Sequence, residues 1–241
     1  SISLVMTDKK LLFLDIESTG LNPYKDSLVG IGYAFDDDPV TISYLYDEEN
    51  IKSLLLTDAL KIGHNINFDL LFLNQNGFKT KGPYFDTRIF FKILDPYAKS
   101  GLKDLGLHHK FIATALRLED ICVYKDKGDA IKIGCDNHQG YGYVDAVTFE
   151  KYLTQDIELT RNLYKKAIEI GISDYYKNIE QPLIKNILDI ELRGIKIDKL
   201  KCESLYLDVS KELFIYEKYF EDLKLNPRSP KQIREYWKKN E

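Results

Sequence analysis

Residues 11–16, LLFLDI, form a short apolar run that ends in an acid, the pattern of a buried central strand. The next stretch, STGLNPYKDS (18–27), is rich in turn formers and reads as a loop. LVGIGYAF (28–35) and PVTISYLY (39–46) follow as strands, with DDD (36–38) between them as a hairpin turn. In the second, Val40, Ile42, Tyr44 and Tyr46 alternate with smaller or more polar residues, which is strand periodicity. ENIKSLLLTD (49–58) reads as a helix and LKIGH (60–64) as a fourth strand. Phe68, Leu71 and Phe72 then recur at helical spacing up to Gly77. Three strands followed by alternating helices and strands predict a mixed α/β sheet with helices on both faces.

FDTRIFFKILDP (85–96) and GLKDLGLHHKF (101–111) predict two further helices. Residues 118–144, with glycines at 128, 134, 140 and 142, predict a long excursion or a short hairpin. A strong helix is expected from about 146 to 170, stopped by Gly171. From about 173 the composition changes to long helices without strands, so the expected domains are 1–172 and an all-α segment, 173–241. IEQPLIKNILDIELRG (179–194) is amphipathic and ends in glycine. Asp198 can cap the next helix, whose Cys202, Leu205, Val209, Leu213, Tyr216, Phe220 and Leu223 are spaced like a packing seam. Ser229-Pro230 is a helix start.

Composition sets the outer bounds. With 241 residues, 44% hydrophobic and 30% charged, the chain is neither disordered nor membrane-buried. It holds no run of about 18 apolar residues, and SISLVMTDKK (1–10) lacks the layout of a secretory signal. Cys122, Cys135 and Cys202 are odd in number and widely spaced, which suits a reduced compartment without a disulfide partner. The expected location is bacterial or phage-type cytoplasm, or an organelle, rather than the secretory route. A net charge of -4 argues against a protein that simply coats nucleic acid, but not against a nucleic-acid enzyme whose carboxylates are neutralised by metal ions. Residues 1–172 carry 20 basic and 25 acidic side chains, and residues 173–241 carry 14 and 13, which implies different tasks for the two parts.

Four carboxylates in three places carry the chemistry. Asp15 and Glu17, two apart on a strand, face one side at its end, an unfavourable placement of like charges unless cations bind between them. His64-Asn65-Ile66-Asn67-Phe68-Asp69 leads from a strand end into a helix, where Asp69 is either a first-turn acid favoured by the macrodipole or another metal-facing group. Tyr152 and Asp156, at i and i+4 on the strong helix, can converge on one point. Each signal alone is also what an ordinary loop edge, helix start or solvated helix face would show.

Together, Asp-x-Glu, Asn-x-x-Phe-Asp in GHNINFD and Tyr-x-x-x-Asp resemble the three motifs of the DEDD superfamily of exonucleases, in the branch with tyrosine in its third motif. DIESTGL and GHNINFD match that family beyond the acids, and the resemblance spans roughly residues 9–171. It implies a ribonuclease H-like fold. YYKNIEQPLIKNILDIELRGIKID (175–198) and NPRSPKQI (226–233) are similar to the segment that joins the proofreading domain to the thumb in family-A DNA polymerases. No stretch resembles the catalytic motifs of their palm and fingers, so no polymerase site is expected here. A chain with its only Met at position 6 and a helical end at Glu241 suggests a piece of a longer polymerase.

The resemblance implies removal of nucleoside monophosphates from the 3′ end of a DNA strand. Two divalent cations, Mg²⁺ or Mn²⁺, would activate water and stabilise the departing 3′ oxygen. Asp15, Glu17 and Asp156 would hold one ion, Asp15 would bridge to a second, and Asp69 would support that one. Tyr152 would orient the attacking water. Ser18, Leu21 and Asn65 would meet substrate, Leu21 as an apolar wedge that favours frayed, single-stranded ends without reading sequence. The remainder of a DNA polymerase is the implied partner, with no membrane involved. An RNA-processing exonuclease of the same superfamily and an inactive DNA-binding scaffold are the alternatives. Asp86, after a strand, is a candidate support for the site. Cys135-Asp136-Asn137-His138 has half the spacing of a zinc site and no second half. His108-His109 reads as a helix end. Tyr141 and Tyr143 could stack on bases, and Arg228, Lys231, Arg234, Lys238 and Lys239 could meet phosphates.

Overall fold

The computed structural model describes residues 10–44, 48–122, 131–133 and 143–240. The last residues of the 39–46 strand, most of the 118–144 excursion, the Cys135–His138 cluster and Tyr141 lie outside the described residues. The first compact unit ends at Arg193, and a second runs from Gly194.

The first unit is built on β1 (Leu11–Ser18), β2 (Leu28–Phe35), β3 (Thr41–Ser43), β4 (Leu60–Gly63) and β5 (Tyr84–Asp86), in the sheet order β3-β2-β1-β4-β5. β1 runs antiparallel to β2 and parallel to β4, and β4 is parallel to β5. Antiparallel neighbours need only a turn between them, whereas the parallel pairs need crossovers. Those crossovers are α1 (Glu48–Leu55) and α2 (Ile66–Gln75). The sheet is then covered by α3 (Thr87–Leu94), α4 (Leu102–His108), the single turn α5 (Leu118–Ile121) and α6 (Ala146–Ile170). A short pair, β6 (Ile131–Lys132) and β7 (Tyr143–Val144), stands apart from the main sheet.

The stretch 85–96, expected to be one helix, divides. Tyr84–Asp86 pairs with β4 as the edge strand, and the Asp86 carboxylate caps α3 by accepting from the backbone of Arg88 and Ile89. Three residues are too few for a strand period to show in sequence.

Strand alternation decides which side chains reach which layer. Leu12, Leu14 and Ile16 pack with Ile51, Leu54, Leu70 and Leu73 on one face. Phe13 packs with Ile157, Leu163 and Tyr164 on the other. Asp15 and Glu17 share the parity of Phe13, so the same alternation sends both carboxylates toward α6.

The first compact unit runs past the expected end of the sheet domain at 172 as far as Arg193, because the chain after α6 is bound into the first core. A single π-type turn, Tyr176–Glu180, leads directly into α7 (Gln181–Arg193). The Tyr176 hydroxyl accepts from the Asp86 backbone N–H (2.8 Å) and donates to the Asp86 carbonyl (3.0 Å). Gln181 Nε2 donates to the Tyr84 carbonyl. Ile184 and Leu188 are fully buried in the α1–α2 layer, each worth about 1.5–3 kcal/mol of burial.

The second unit holds α8 (Lys199–Asp222) and α9 (Pro230–Asn240). Asp198 caps α8 through the Lys201 N–H (3.1 Å), and Gly194 takes the left-handed conformation after α7 (φ 65°). The seam expected along α8 is not buried: Leu205, Val209, Leu213 and Tyr216 are exposed, and no residue of the helix is enclosed. Helical spacing put these apolar side chains on one stripe, but spacing cannot supply an element to cover it.

Candidate active site

The site forms where β1, α2, α4 and α6 meet. Asp15 and Glu17 stand opposite Gly32 and Gly30 of β2. These glycines are what allow α6 to approach. A Cβ at Gly32 would lie 2.8 Å from Leu153 Cγ, and one at Gly30 would lie 3.3 Å from the Phe149 ring. Phe149 and Leu153, fully buried and four residues apart, seat α6 on this bare strip of β2. That seating brings Tyr152, beside Leu153, and Asp156, one turn further along, toward the carboxylates of β1.

Asp15, Glu17 and Asp156 each bring a carboxylate oxygen within 4.8 Å of the other two. Asp156 is buried, while Asp15 and Glu17 are half-buried. Asp69 adjoins this trio from α2, where it is 3% exposed and its Oδ1 accepts the backbone N–H of Ile16 (3.3 Å). Burial raises Asp15 to about 6, opposed by Lys103. Burial and then the charge of Asp15 raise Glu17 to about 8. Asp69 is also raised, by burial and then by Asp15. Acids that raise one another in this way are stabilised as anions only by added positive charge. Hard carboxylate oxygens in such number suit a divalent cation of the Mg²⁺ or Mn²⁺ type.

The predicted substrate residues are in varied states. The Ser18 hydroxyl is turned onto the Gly20 carbonyl (2.6 Å). Leu21 is 65% exposed on the loop after β1. Asn65, exposed and left-handed (φ 68°), is the last residue before α2. Asp86, expected as a support rather than a ligand, is not one of the trio. Its carboxylate accepts the backbone N–H groups of Asn65, Ile66, Arg88 and Ile89, and so fixes the starts of both α2 and α3. His64 closes the same end of β4, with Nδ1 against the Thr87 hydroxyl and Nε2 against the Ser100 carbonyl, each at 2.8 Å. His109 stacks on Phe111 at the end of α4, as a helix-end residue does.

Lys103 is the site residue that sequence reasoning missed. Its ammonium is ion-paired with Asp156 and lies 4.4 Å from the centre of the Tyr152 ring. Burial lowers it to about 8, against the pull of Asp15 and Glu17. Its signal was electrostatic: it is the second residue of α4, in a first helical turn where the dipole disfavours cations. The missed Gly30 and Gly32 also left a signal, because paired glycines inside a strand mark a close approach.

Comparisons with known proteins bear on the family and the fold. A family model described as 3′-5′ exonuclease matches residues 3–167. DNA polymerase I of Synechocystis is 27% identical over 239 residues, covering 91% of this chain and 23% of the relative. DNA polymerase I of Chloroflexus aurantiacus is 29% identical, covering 77% and 20% respectively. The chain thus spans about a fifth of the length of these curated relatives. Among solved structures, NrnC of Brucella melitensis with bound Mg²⁺ superposes with a TM-score of 0.53 at 18% identity, covering 78% of this chain and 87% of NrnC. The POL domain of Pol1 from M. smegmatis superposes with a TM-score of 0.59 at 16% identity, covering 95% of this chain and 37% of that one. Both likenesses show the fold, a mixed sheet with flanking helices of the ribonuclease H-like kind. With a family match across most of the sheet-bearing unit, the chain belongs to the 3′-5′ exonuclease family found in DNA polymerase I.

Proposed function

We propose that this chain is the metal-dependent proofreading module of a family-A DNA polymerase. It hydrolyses the 3′-terminal phosphodiester of a single-stranded or frayed DNA end and releases nucleoside monophosphates. The observation that carries the reading is the convergence of Asp15, Glu17 and Asp156 within 4.8 Å, with Tyr152 one helical turn before Asp156.

An anionic diester repels hydroxide, and carboxylates alone would worsen that repulsion. Asp15, Glu17 and Asp156 would hold one divalent cation, and Asp15 with Asp69 a second; bound there, Mg²⁺ or Mn²⁺ ions supply an acidified water and charge for the leaving 3′ oxygen. The protein's own part is positional. β1 fixes Asp15 and Glu17 by its pleat, and the Ile16 N–H holds Asp69 against them. Tyr152, one helical turn before Asp156, would orient the attacking water with its phenol. Leu21, exposed beyond the strand end, suits an apolar stop for terminal bases.

The test uses two single-stranded DNA oligonucleotides, one labelled at the 5′ end and one at the 3′ end, with Mg²⁺, Mn²⁺ or EDTA. A ladder shortening from the 3′ end, abolished by EDTA, is expected. Cleavage that persists in EDTA would overturn the metal mechanism. Faster cleavage of matched RNA at the same salt would favour the RNA-processing alternative. DNA binding without turnover in either metal would leave a scaffold.

A further inference from the structure

The exonuclease reading leaves one charged side chain of the site without a role. Lys103 sits inside the acid cluster, its side chain 11% exposed against 7% for Asp156. Its place is built rather than accidental. The Ser100 carbonyl, three residues earlier, is held by His64, and Gly101 opens α4 beside it. The ammonium rests between an acid and an aromatic face, two surfaces that attract cations.

Resting on that reading, we propose that Lys103 competes with the divalent cation for Asp156 and, when the cation holds that carboxylate, binds the phosphate of the substrate's terminal nucleotide. Three arguments support this assignment. An ammonium and a divalent ion cannot share one carboxylate oxygen without mutual repulsion, so whichever binds more strongly displaces the other. The lysine stem has four flexible carbons, which lets Nζ leave Asp156 while α4 stays in place. At the trio's edge the anion available to a released ammonium is the incoming phosphate, and lysine is a point-charge phosphate ligand. Lys103 would then keep the charge of the site balanced both before and during the reaction.

The experiment titrates the full chain, stripped of metal, with Mn²⁺, and then titrates the Mn²⁺-saturated protein with dTMP, both by calorimetry without turnover. Lys103→Gln is expected to tighten Mn²⁺ about fivefold or more, because the internal competitor is gone. The same variant is expected to weaken dTMP about tenfold, by loss of a charge-assisted contact. Lys103→Arg keeps the charge and should restore most of the dTMP affinity. Unchanged or weaker Mn²⁺ binding in Lys103→Gln overturns the competition, and unchanged dTMP binding overturns the phosphate contact. If the wild-type protein binds neither Mn²⁺ nor dTMP, the exonuclease reading itself fails. A wild type that binds both, with Lys103→Gln indistinguishable from it, sinks Lys103 alone.

Discussion

Two buried acids at the same end of the sheet have opposite surroundings. Asp86 accepts four backbone N–H groups, and its charge is spent on starting two helices. Asp156 meets two other carboxylates and a lysine instead. Burial raises Asp86 as it raises Asp15, but for Asp86 all the further influences are hydrogen bonds that favour the anion. A buried carboxylate surrounded by N–H donors is complete within the protein. One surrounded by carboxylates needs a cation from outside, and that need is the physical mark of a site.

The sharpest way to break this comparison is to exchange activity for stability. Replacing Asp15 and Glu17 with alanine is expected to lower exonuclease activity about a thousandfold or more while thermal unfolding stays cooperative. Asp86→Ala should do the reverse. Losing an anion that accepts several N–H bonds costs about 3–5 kcal/mol, seen as a large fall in the urea midpoint. Retained activity in the first variant, or an unshifted midpoint in the second, would erase the distinction.

His64 belongs to the Asp86 side of the comparison and predicts a pH effect. Burial lowers it to about 4, from an ordinary value of 6.5. Its folded pKa is depressed, so the unfolded chain takes up the proton first as pH falls. The stability from its neutral form is therefore full above about 6.5 and lost between there and 4, amounting to about 3 kcal/mol. The raised carboxylates of the site change stability in the opposite sense, since protonation relieves them. The readout is the difference between wild type and His64→Gln: the gap should close as pH drops through that window.

On the other side, cations should stabilise the fold through the trio. At a hundred times its dissociation constant, Mn²⁺ should add about 2.7 kcal/mol, or about 5–10 °C in Tm, and the double alanine variant should lose that gain. Scanning calorimetry with and without metal would show it. Smaller still is the effect of Gly32→Ala, whose added methyl meets Leu153. Overpacking there should cost about 1–3 kcal/mol, and it should lower activity as well, because the same helix carries Tyr152 and Asp156. Gly30→Ala, with a looser contact, should cost less.

Much of this was legible along the chain. The apolar run 11–16, the alternation after it and the 25-residue amphipathic α6 follow from side-chain period, a local property. The acids 15, 17, 69, 152's neighbour 156 and the tyrosine itself stood out because their types and spacings matched a family pattern. The edge strand 84–86 was too short to announce itself, and the way Asp86 supports the neighbourhood of the site, by fixing the start of the helix that carries Asp69, needed its four N–H donors to be seen. The compact unit extends past 172 because a change of composition is not a change of core: Tyr176, Ile184 and Leu188 are buried in the first unit.

What the sequence determined by itself was the set of elements and the chemistry they could hold, since both depend on residues within a turn or a pleat of one another. Only the tertiary structure decided that Asp156 meets Asp15 across more than half of the chain, and that Lys103 reaches Asp156. Contacts of that kind arise from how closely two elements pack: the glycines at 30 and 32 mark a close approach along the chain, but only the folded structure shows which helix makes it.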